Sequence, residues 1–142
     1  LFPVHPRTAA RISQSTSLSA HVARTSSFIC VPPLGYLDCL CATAQARMIL
    51  TDSGGLQEES TALGVPCLTL RENTERPITV EVGTSTIVGC SDSLLRLAFN
   101  SVLDGSYKRG VCPALWDGGA AQRIAAHLDQ VVSEGRLPRA AA

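Results

Sequence analysis

The sequence predicts an α/β fold, a parallel sheet with helices on both faces. Short apolar runs alternate with helix-length segments along the chain, as expected for strands that are joined by crossover helices. The runs are continuously apolar, which is typical of strands covered on both faces. Glycine and proline residues stand where several of these segments would begin or end.

The first 51 residues are predicted to form three strands and two helices. Apolar runs at 1–5 and 28–31 predict short strands, the second of them buried, and residues 8–20 between them predict one helix. Apolar residues recur at helical spacing over 36–44. The run 47–51 predicts the third strand.

The middle of the chain continues the alternation. A loop at 52–55 precedes a predicted helix over 56–63, and Gly64 would end this helix because glycine tolerates the left-handed conformation there. The run 65–70 predicts a strand. Residues 71–77 form a polar loop without helical or strand periodicity.

The remaining elements follow from the same signals. The proline at 77 suits the start of a short helix over 77–83, and 84–89 predicts another strand. Apolar residues fall on one face over 93–103 and again over 120–132, which predicts two amphipathic helices. Residues 105–113 are predicted to be a linker.

Length and composition limit the possible functions. The 142 residues suffice for one domain, predicted over 1–134 with a disordered tail at 135–142. Twelve basic residues balance twelve acidic residues, so the chain lacks the basic excess of a nucleic-acid-binding protein. No apolar run reaches the roughly 20 residues that a membrane span needs. The start, without Met or signal features, predicts a fragment of a longer protein.

The cysteines predict neither a zinc site nor a redox motif, because none of them forms a CxxC pair. Most of them lie in apolar stretches, which predicts small buried side chains in a reducing cytosol and therefore a cytoplasmic protein. A disulfide framework is the alternative. The six cysteines are Cys30, Cys39, Cys41, Cys67, Cys90 and Cys112.

The segment 50–59 carries the strongest chemical signal. A strand ends, a turn of Ser53, Gly54 and Gly55 follows, and a helix begins. Ligands of open α/β sheets bind at the carboxyl ends of the strands, and glycine lets the backbone approach them closely. The first amides of a helix have no intrahelical partner and bind phosphate well. The Ser53 hydroxyl can donate one more hydrogen bond.

Two acidic residues follow in what the sequence predicts to be the first turn of that helix. For Glu58 we favour a structural role, in which its negative charge complements the positive end of the helix dipole. For Glu59 we favour a ligand role, since its carboxylate can accept both hydroxyls of a ribose. Asp52 is a candidate to cap the turn.

Three other segments are candidates for the site. The loop 71–77 is either a solvated loop or a clamp in which Arg76 and hydroxyl groups hold an anion. His5, at a predicted strand end, is either structural or a phosphate-binding residue. Asp117 is the predicted N-cap of the last helix. Trp116, the only tryptophan, is predicted to serve in packing.

Together these motifs resemble the non-hydrolysing UDP-N-acetylglucosamine 2-epimerases. That family carries the pattern T-D-S-G-G-x-Q-E-E, then L-G-x-P, T-E-R-P and G-T-x-x-x-V-G, and this chain has all four in order. The corresponding residues are 51–59, 63–66, 74–77 and 83–89. The HPRT segment at 5–8 and the D-G and R-I residues of 117–124 extend the resemblance over about 1–128.

The resemblance implies a GT-B architecture of two Rossmann-like domains, of which this chain would be the C-terminal, UDP-binding one. Ser53, Gly54 and Gly55 would bind the diphosphate of UDP, and Glu59 its ribose. His5 and Arg76 would face the cleft between the domains. The N-terminal domain would be absent, and the resemblance also allows a homodimer of the full enzyme. At Cys39 the family often has an aromatic residue near the uracil.

The implied reaction interconverts UDP-GlcNAc and UDP-ManNAc by elimination of UDP and its re-addition at the sugar. The carboxylates that move the C2 proton would belong to the N-terminal domain, so no catalytic residue is assigned in this chain. No cofactor or metal is expected, since the candidate residues lack the clustering of metal ligands. The alternatives are a hydrolysing relative, a nucleotide-sugar-binding module without chemistry, and a glycosyltransferase of the same fold.

Overall fold

Five strands and seven helices lie within residues 1–136, the part of the chain that a computed structural model describes. In chain order they are β1 (Phe2–Pro3), α1 (Pro6–Gln14), α2 (Thr16–Arg24), β2 (Cys30–Val31), α3 (Tyr36–Gln45), β3 (Ile49–Thr51), α4 (Gly54–Leu63), β4 (Cys67–Thr69), α5 (Pro77–Glu81), β5 (Ser85–Ile87), α6 (Asp92–Asp104) and α7 (Ala120–Ser133). None of these helices is long and apolar enough to cross a bilayer. The elements confirm the predicted alternation, with strands shorter than predicted.

The strands are parallel and belong to two compact units, residues 1–42 and 43–142. In the first unit β1 pairs with β2. In the second the strand order is β3-β4-β5, with Cys67 opposite both Ile49 and Ser85. The predicted parallel α/β class is therefore confirmed, although the strands form two sheets where the sequence suggested one. The domain boundary predicted at residue 134 stays a prediction.

The core of the second unit surrounds β4, whose three residues are all buried. Helix α4 packs against all three strands of the sheet, while α5 contacts β5 and α6 contacts β4. Buried apolar side chains hold these layers together because their removal from water is the main favourable term in folding. They are Val65, Cys67, Leu68, Val88, Ala98 and Val102.

This core is unusually rich in hydroxyl groups, and hydrogen bonds compensate most of them. The Thr61 and Thr84 hydroxyls, on α4 and before β5, lie 3.4 Å apart. The Thr79 hydroxyl donates to the carbonyl of Arg76 at 2.7 Å. Burying a hydroxyl without a partner costs free energy, so these bonds offset that cost, and the first of them joins α4 to the residue before β5.

The predicted single helix over 8–20 is wrong, because the chain forms two helices that meet at Ser15. Ser15 has an extended conformation, with φ −100° and ψ 107°. It ends α1, and its hydroxyl accepts a hydrogen bond from the Leu18 amide at 3.4 Å to begin α2. Serine competes with helical hydrogen bonding through such local bonds, which explains the break.

The predicted burial of the cysteines is also wrong, since Cys67 alone is buried, Cys39 is half-buried and the other four are exposed. Cys30 lies in the strand predicted to be buried over 28–31, where Phe28 and Ile29 are exposed as well. A unit of 42 residues has too little chain to cover both faces of its strands. Cys90 and Cys112 lie in loops.

The predicted linker over 105–113 packs against the sheet through Tyr107. The Tyr107 hydroxyl donates to the Thr84 carbonyl at 2.8 Å, lies 3.2 Å from the Cys67 carbonyl and hydrogen-bonds with the Thr86 hydroxyl at 2.7 Å. Burial raises the pKa of this hydroxyl to about 12. No helix or strand lies in 105–113, as predicted for a linker, but the segment anchors β4 and β5 through a contact that spans 40 residues.

We expect Tyr107→Phe to lower the free energy of unfolding by about 1–2 kcal/mol, because buried carbonyl groups lose a donor. The hydroxyl contributes fully below its ordinary pKa of 10, and this contribution is lost as pH rises through about 12. Stability of the parent should therefore fall over that range more steeply than stability of the variant. Denaturant unfolding from pH 7 to 12 measures both effects. The exposed Tyr36→Phe is the matched control, and equal stability of the Tyr107 variant and the parent would contradict the expectation.

The last helix begins at Ala120 as predicted, but its N-cap is Gly119 rather than Asp117. Asp117 lies two residues earlier, where its carboxylate accepts from the Gly119 amide at 2.9 Å and pairs with Arg123 at 3.0 Å. The guanidinium holds the pKa of Asp117 below its ordinary value. Of the predicted tail, residues 137–142 lie outside the described residues, whereas the amides at 135 and 136 still bond to α7.

Candidate functional site

Three loops lie together at the carboxyl edge of the β3-β4-β5 sheet. They are residues 52–53 after β3, 70–76 after β4 and 88–91 after β5. Because the three strands are parallel and adjacent, these loops share one edge, where open α/β sheets bind their ligands. The structure thus brings together the two segments in which the sequence places Ser53, Gly54, Gly55, Glu59 and Arg76.

The turn after β3 differs from the prediction, because the helix begins at Gly54 rather than at residue 56. Ser53 is its N-cap, and the Ser53 hydroxyl accepts from the Leu56 amide at 3.5 Å. The two glycines therefore occupy the first helical positions, whose amides have no intrahelical acceptor. Asp52, the predicted candidate to cap the turn, precedes the N-cap and is not the capping residue.

Open space surrounds these glycines. A Cβ atom placed on Gly54 would meet nothing within 4 Å, and one placed on Gly55 would meet only the Ser53 hydroxyl oxygen, at 3.8 Å. The positive end of the helix dipole and two outward amides therefore face a region that an anion can enter.

Glu58 and Glu59 lie in the second turn of α4, so their predicted place in the first turn is wrong. The cause is the earlier start of the helix, whose first turn contains no acidic residue. Glu58 instead pairs with Arg76, at 2.8 Å between Oε1 and Nε. The Glu59 carboxylate is half-buried and has no hydrogen bond or ion pair with residues 1–136.

Gln57 links the turn to the polar loop, a role that the sequence analysis missed. Its side chain is fully buried, its amide nitrogen donates to the Ser53 carbonyl at 3.3 Å, and its amide oxygen accepts from the Thr74 hydroxyl at 2.7 Å. The Thr74 oxygen in turn accepts from the Arg76 amide at 3.0 Å. The signal was present in the motif at 51–59, where glutamine stands between an apolar residue and two acids.

Further contacts of Arg76 and Glu75 hold the loop 71–77 in place. The Arg76 Nη1 donates to the Glu75 carbonyl at 3.3 Å, and Arg71 pairs with Glu75 at 3.7 Å. The buried Arg76 Nε makes no hydrogen bond, since its short contact with Glu58 is an ion pair without hydrogen-bond geometry. The loop is therefore fixed against α4 rather than freely solvated, and its guanidinium stays near the helix that starts at Gly54.

Glu72 connects the same loop to the loop after β5. Its carboxylate accepts from the Cys90 amide at 3.2 Å. Gly89 has a positive φ of 57°, which favours glycine, and a Cβ there would displace the Glu72 carboxylate from this position. No local pattern in the sequence indicates this role of Glu72.

His5 belongs to the first unit, while the other five predicted site residues belong to the second. It follows β1 and is the N-cap of α1, where its Nδ1 accepts from the Arg7 amide at 3.2 Å. The Nδ1 atom of His5 therefore has a structural role, the capping of α1. Nε2 makes no bond within residues 1–136 that would assign it a role.

Fold and site together define a Rossmann-like α/β domain of the kind that forms the C-terminal half of GT-B proteins. The family model of UDP-N-acetylglucosamine 2-epimerase matches residues 1–129. The chain is 40% identical over 124 residues to the epimerase of Methanocaldococcus jannaschii, which covers 87% of this chain and 33% of that protein. It is 33% identical over 132 residues to the Bacillus subtilis epimerase, covering 90% and 34% respectively.

Solved structures of UDP-GlcNAc 2-epimerases are also similar to this chain. The M. jannaschii enzyme in complex with UDP-GlcNAc and UDP superposes with a TM-score of 0.76 at 40% identity, over 91% of this chain and 35% of that chain. The chain belongs to the UDP-N-acetylglucosamine 2-epimerase family. It spans about a third of the length of the curated relatives that it matches.

Proposed function

We propose that this chain is the UDP-binding part of an enzyme that interconverts UDP-GlcNAc and UDP-ManNAc. One observation carries the proposal: the amides of Gly54 and Gly55 begin α4 in open space at the sheet edge, and Glu58 of the same helix pairs with Arg76. Amides at a helix start and a fixed guanidinium are suited to a diphosphate. The related enzyme that contains UDP-GlcNAc and UDP supports this choice of ligand.

Each predicted site residue of the second unit has a role in this proposal. The diphosphate lies against Ser53, Gly54 and Gly55, with the serine proton free to donate while its oxygen caps the helix. Arg76 adds a positive charge, and Glu59 accepts the ribose hydroxyls. The predicted ligand role of His5 stays a prediction, since its Nδ1 already caps α1 in the first unit.

The proposed elimination and re-addition of UDP depend on tight binding of its diphosphate. Elimination breaks the bond between the anomeric carbon and the UDP oxygen as the C2 proton leaves, and re-addition reverses both changes with protonation of the other face. The helix amides and Arg76 stabilise the departing anion and keep it for re-addition. In this proposal the carboxylates that move the proton lie outside these 142 residues.

We expect UDP to bind the 142-residue chain, and excess EDTA to leave its affinity unchanged within about twofold. The physical reason is the donor set, since Ser, Gly and Arg neutralise a diphosphate directly and residues 1–136 hold no cluster of three or more metal-ligating side chains. Calorimetric titrations with and without chelator make the comparison, and GDP serves as the control for base selectivity. A large loss of UDP affinity on chelation would contradict the proposed binding mode.

A further inference from the structure

A groove of about 280 Å³ lies against α4, the helix that begins at the proposed diphosphate site, and has no role so far. It is lined by Glu58, Glu59, Ala62 and Trp116. The first three belong to one side of α4, and Trp116 comes from the segment before α7. The only tryptophan of the chain thus faces the helix that starts at Gly54.

The segment that presents Trp116 is held in an unfavourable conformation. Leu115 has a φ of 71° and is the one non-glycine residue with positive φ among residues 1–136. Its carbonyl accepts from Arg123 Nη2 at 2.9 Å, and the same guanidinium pairs with Asp117 on the other side of the tryptophan. The Trp116 amide donates to the Pro113 carbonyl at 3.2 Å. Arg123 thereby fixes the backbone on both sides of the indole.

The groove suits a neutral group that carries hydroxyls next to a flat face. Glu58 is already paired with Arg76, whereas the Glu59 carboxylate is unpaired within the described residues and accepts hydroxyl hydrogen bonds. An anion is disfavoured beside two carboxylates, which separates this groove from the phosphate site. The aromatic ring of Trp116 offers a surface on which planar rings stack.

The groove also lies at a suitable distance from the glycines. Glu59 follows Gly54 by five residues of α4, which is about 8 Å along the helix axis. The nucleoside of a diphosphate that lies on the Gly54 and Gly55 amides reaches that far.

We propose that Trp116 is a ligand-binding residue that forms one wall of the uridine site, opposite the carboxylate of Glu59. This inference rests on the proposed function, because it requires UDP to bind with its diphosphate at Gly54 and Gly55. It assigns to Trp116 a contact with ligand, where the sequence predicted a role in packing.

The single tryptophan makes the inference directly measurable by its intrinsic fluorescence. UDP added to the 142-residue chain is expected to change the Trp116 emission with the same Kd that calorimetry reports. Inorganic pyrophosphate, which lacks the nucleoside, should bind to the glycine amides and leave the emission unchanged.

Substitution provides the second test. We expect Trp116→Ala to weaken UDP binding about tenfold, a typical loss for one stacked ring, and to leave pyrophosphate affinity unchanged. Trp116→Phe should retain most of the UDP affinity. Val111→Ala, an exposed apolar position near the same segment, is the matched control and should bind UDP as the parent does.

The outcomes are distinguishable. If UDP binds without a fluorescence change and Trp116→Ala binds it normally, the inference is overturned while the proposed function stands. Equal loss of UDP and pyrophosphate affinity in Trp116→Ala would also overturn it, since the tryptophan would then act through the fold of the phosphate site. If the parent binds no UDP at all, both the proposed function and the inference fail.

Discussion

The purified 142-residue chain is expected to convert no UDP-GlcNAc to UDP-ManNAc at a rate comparable to ordinary enzymes. The candidate site offers amides, a guanidinium and hydroxyl acceptors, which hold a nucleotide, whereas the groups that take and return the C2 proton are proposed to lie outside these 142 residues. Glu58 is engaged with Arg76, and Glu59 is proposed to hold the ribose. A site without an opposing wall also leaves the sugar in water, which removes the closure on which such chemistry depends.

Proton NMR in deuterated water measures this expectation, because turnover introduces solvent deuterium at C2 of the sugar. A full-length relative, such as the M. jannaschii epimerase, is the positive control under the same conditions. Deuterium at C2 with the 142-residue chain alone, at ordinary enzymatic rates, would mean that it carries its own acid and base groups. The catalytic assignment would then have to move into this chain.

The second large effect is expected from closing the space around the glycines. Ser53→Ala combined with Gly54→Val and Gly55→Val should weaken UDP binding at least about a hundredfold, since hydrogen bonds to charged groups contribute ~1.5–3 kcal/mol each. The domain should stay folded, because a Cβ atom at either position meets no protein atom closer than 3.8 Å and neither glycine has a positive φ. Loss of the N-cap costs about 0.5–2 kcal/mol of stability.

Calorimetric titration of UDP tests this variant, with circular dichroism to verify its fold. Ser15→Ala removes an equivalent N-cap hydroxyl in the first unit and is the matched control, so its UDP affinity should equal that of the parent. Unchanged affinity in the folded triple variant would rule out the glycine turn as the diphosphate site.

Local signals in the sequence were sufficient for the order of the elements and for the family. Gly64 ends α4 with a φ of 71°, Pro77 begins α5, and α7 begins at the predicted Ala120. These features depend on backbone preferences of single residues, which act over one turn of chain. The motif at 51–59 likewise placed a turn and a helix start where the structure has them, within two residues.

The tertiary structure alone decided the features that depend on partners distant in the chain. Gln57 is buried because it bonds to Thr74, 17 residues away, and the hydroxyl of Tyr107 reaches carbonyls 23 and 40 residues away. For the same reason, the sequence could not predict that Glu58 pairs with Arg76 or that most cysteines are exposed. Burial and pairing are properties of the assembled layers, whereas a residue's type and neighbours report only its local conformational preference.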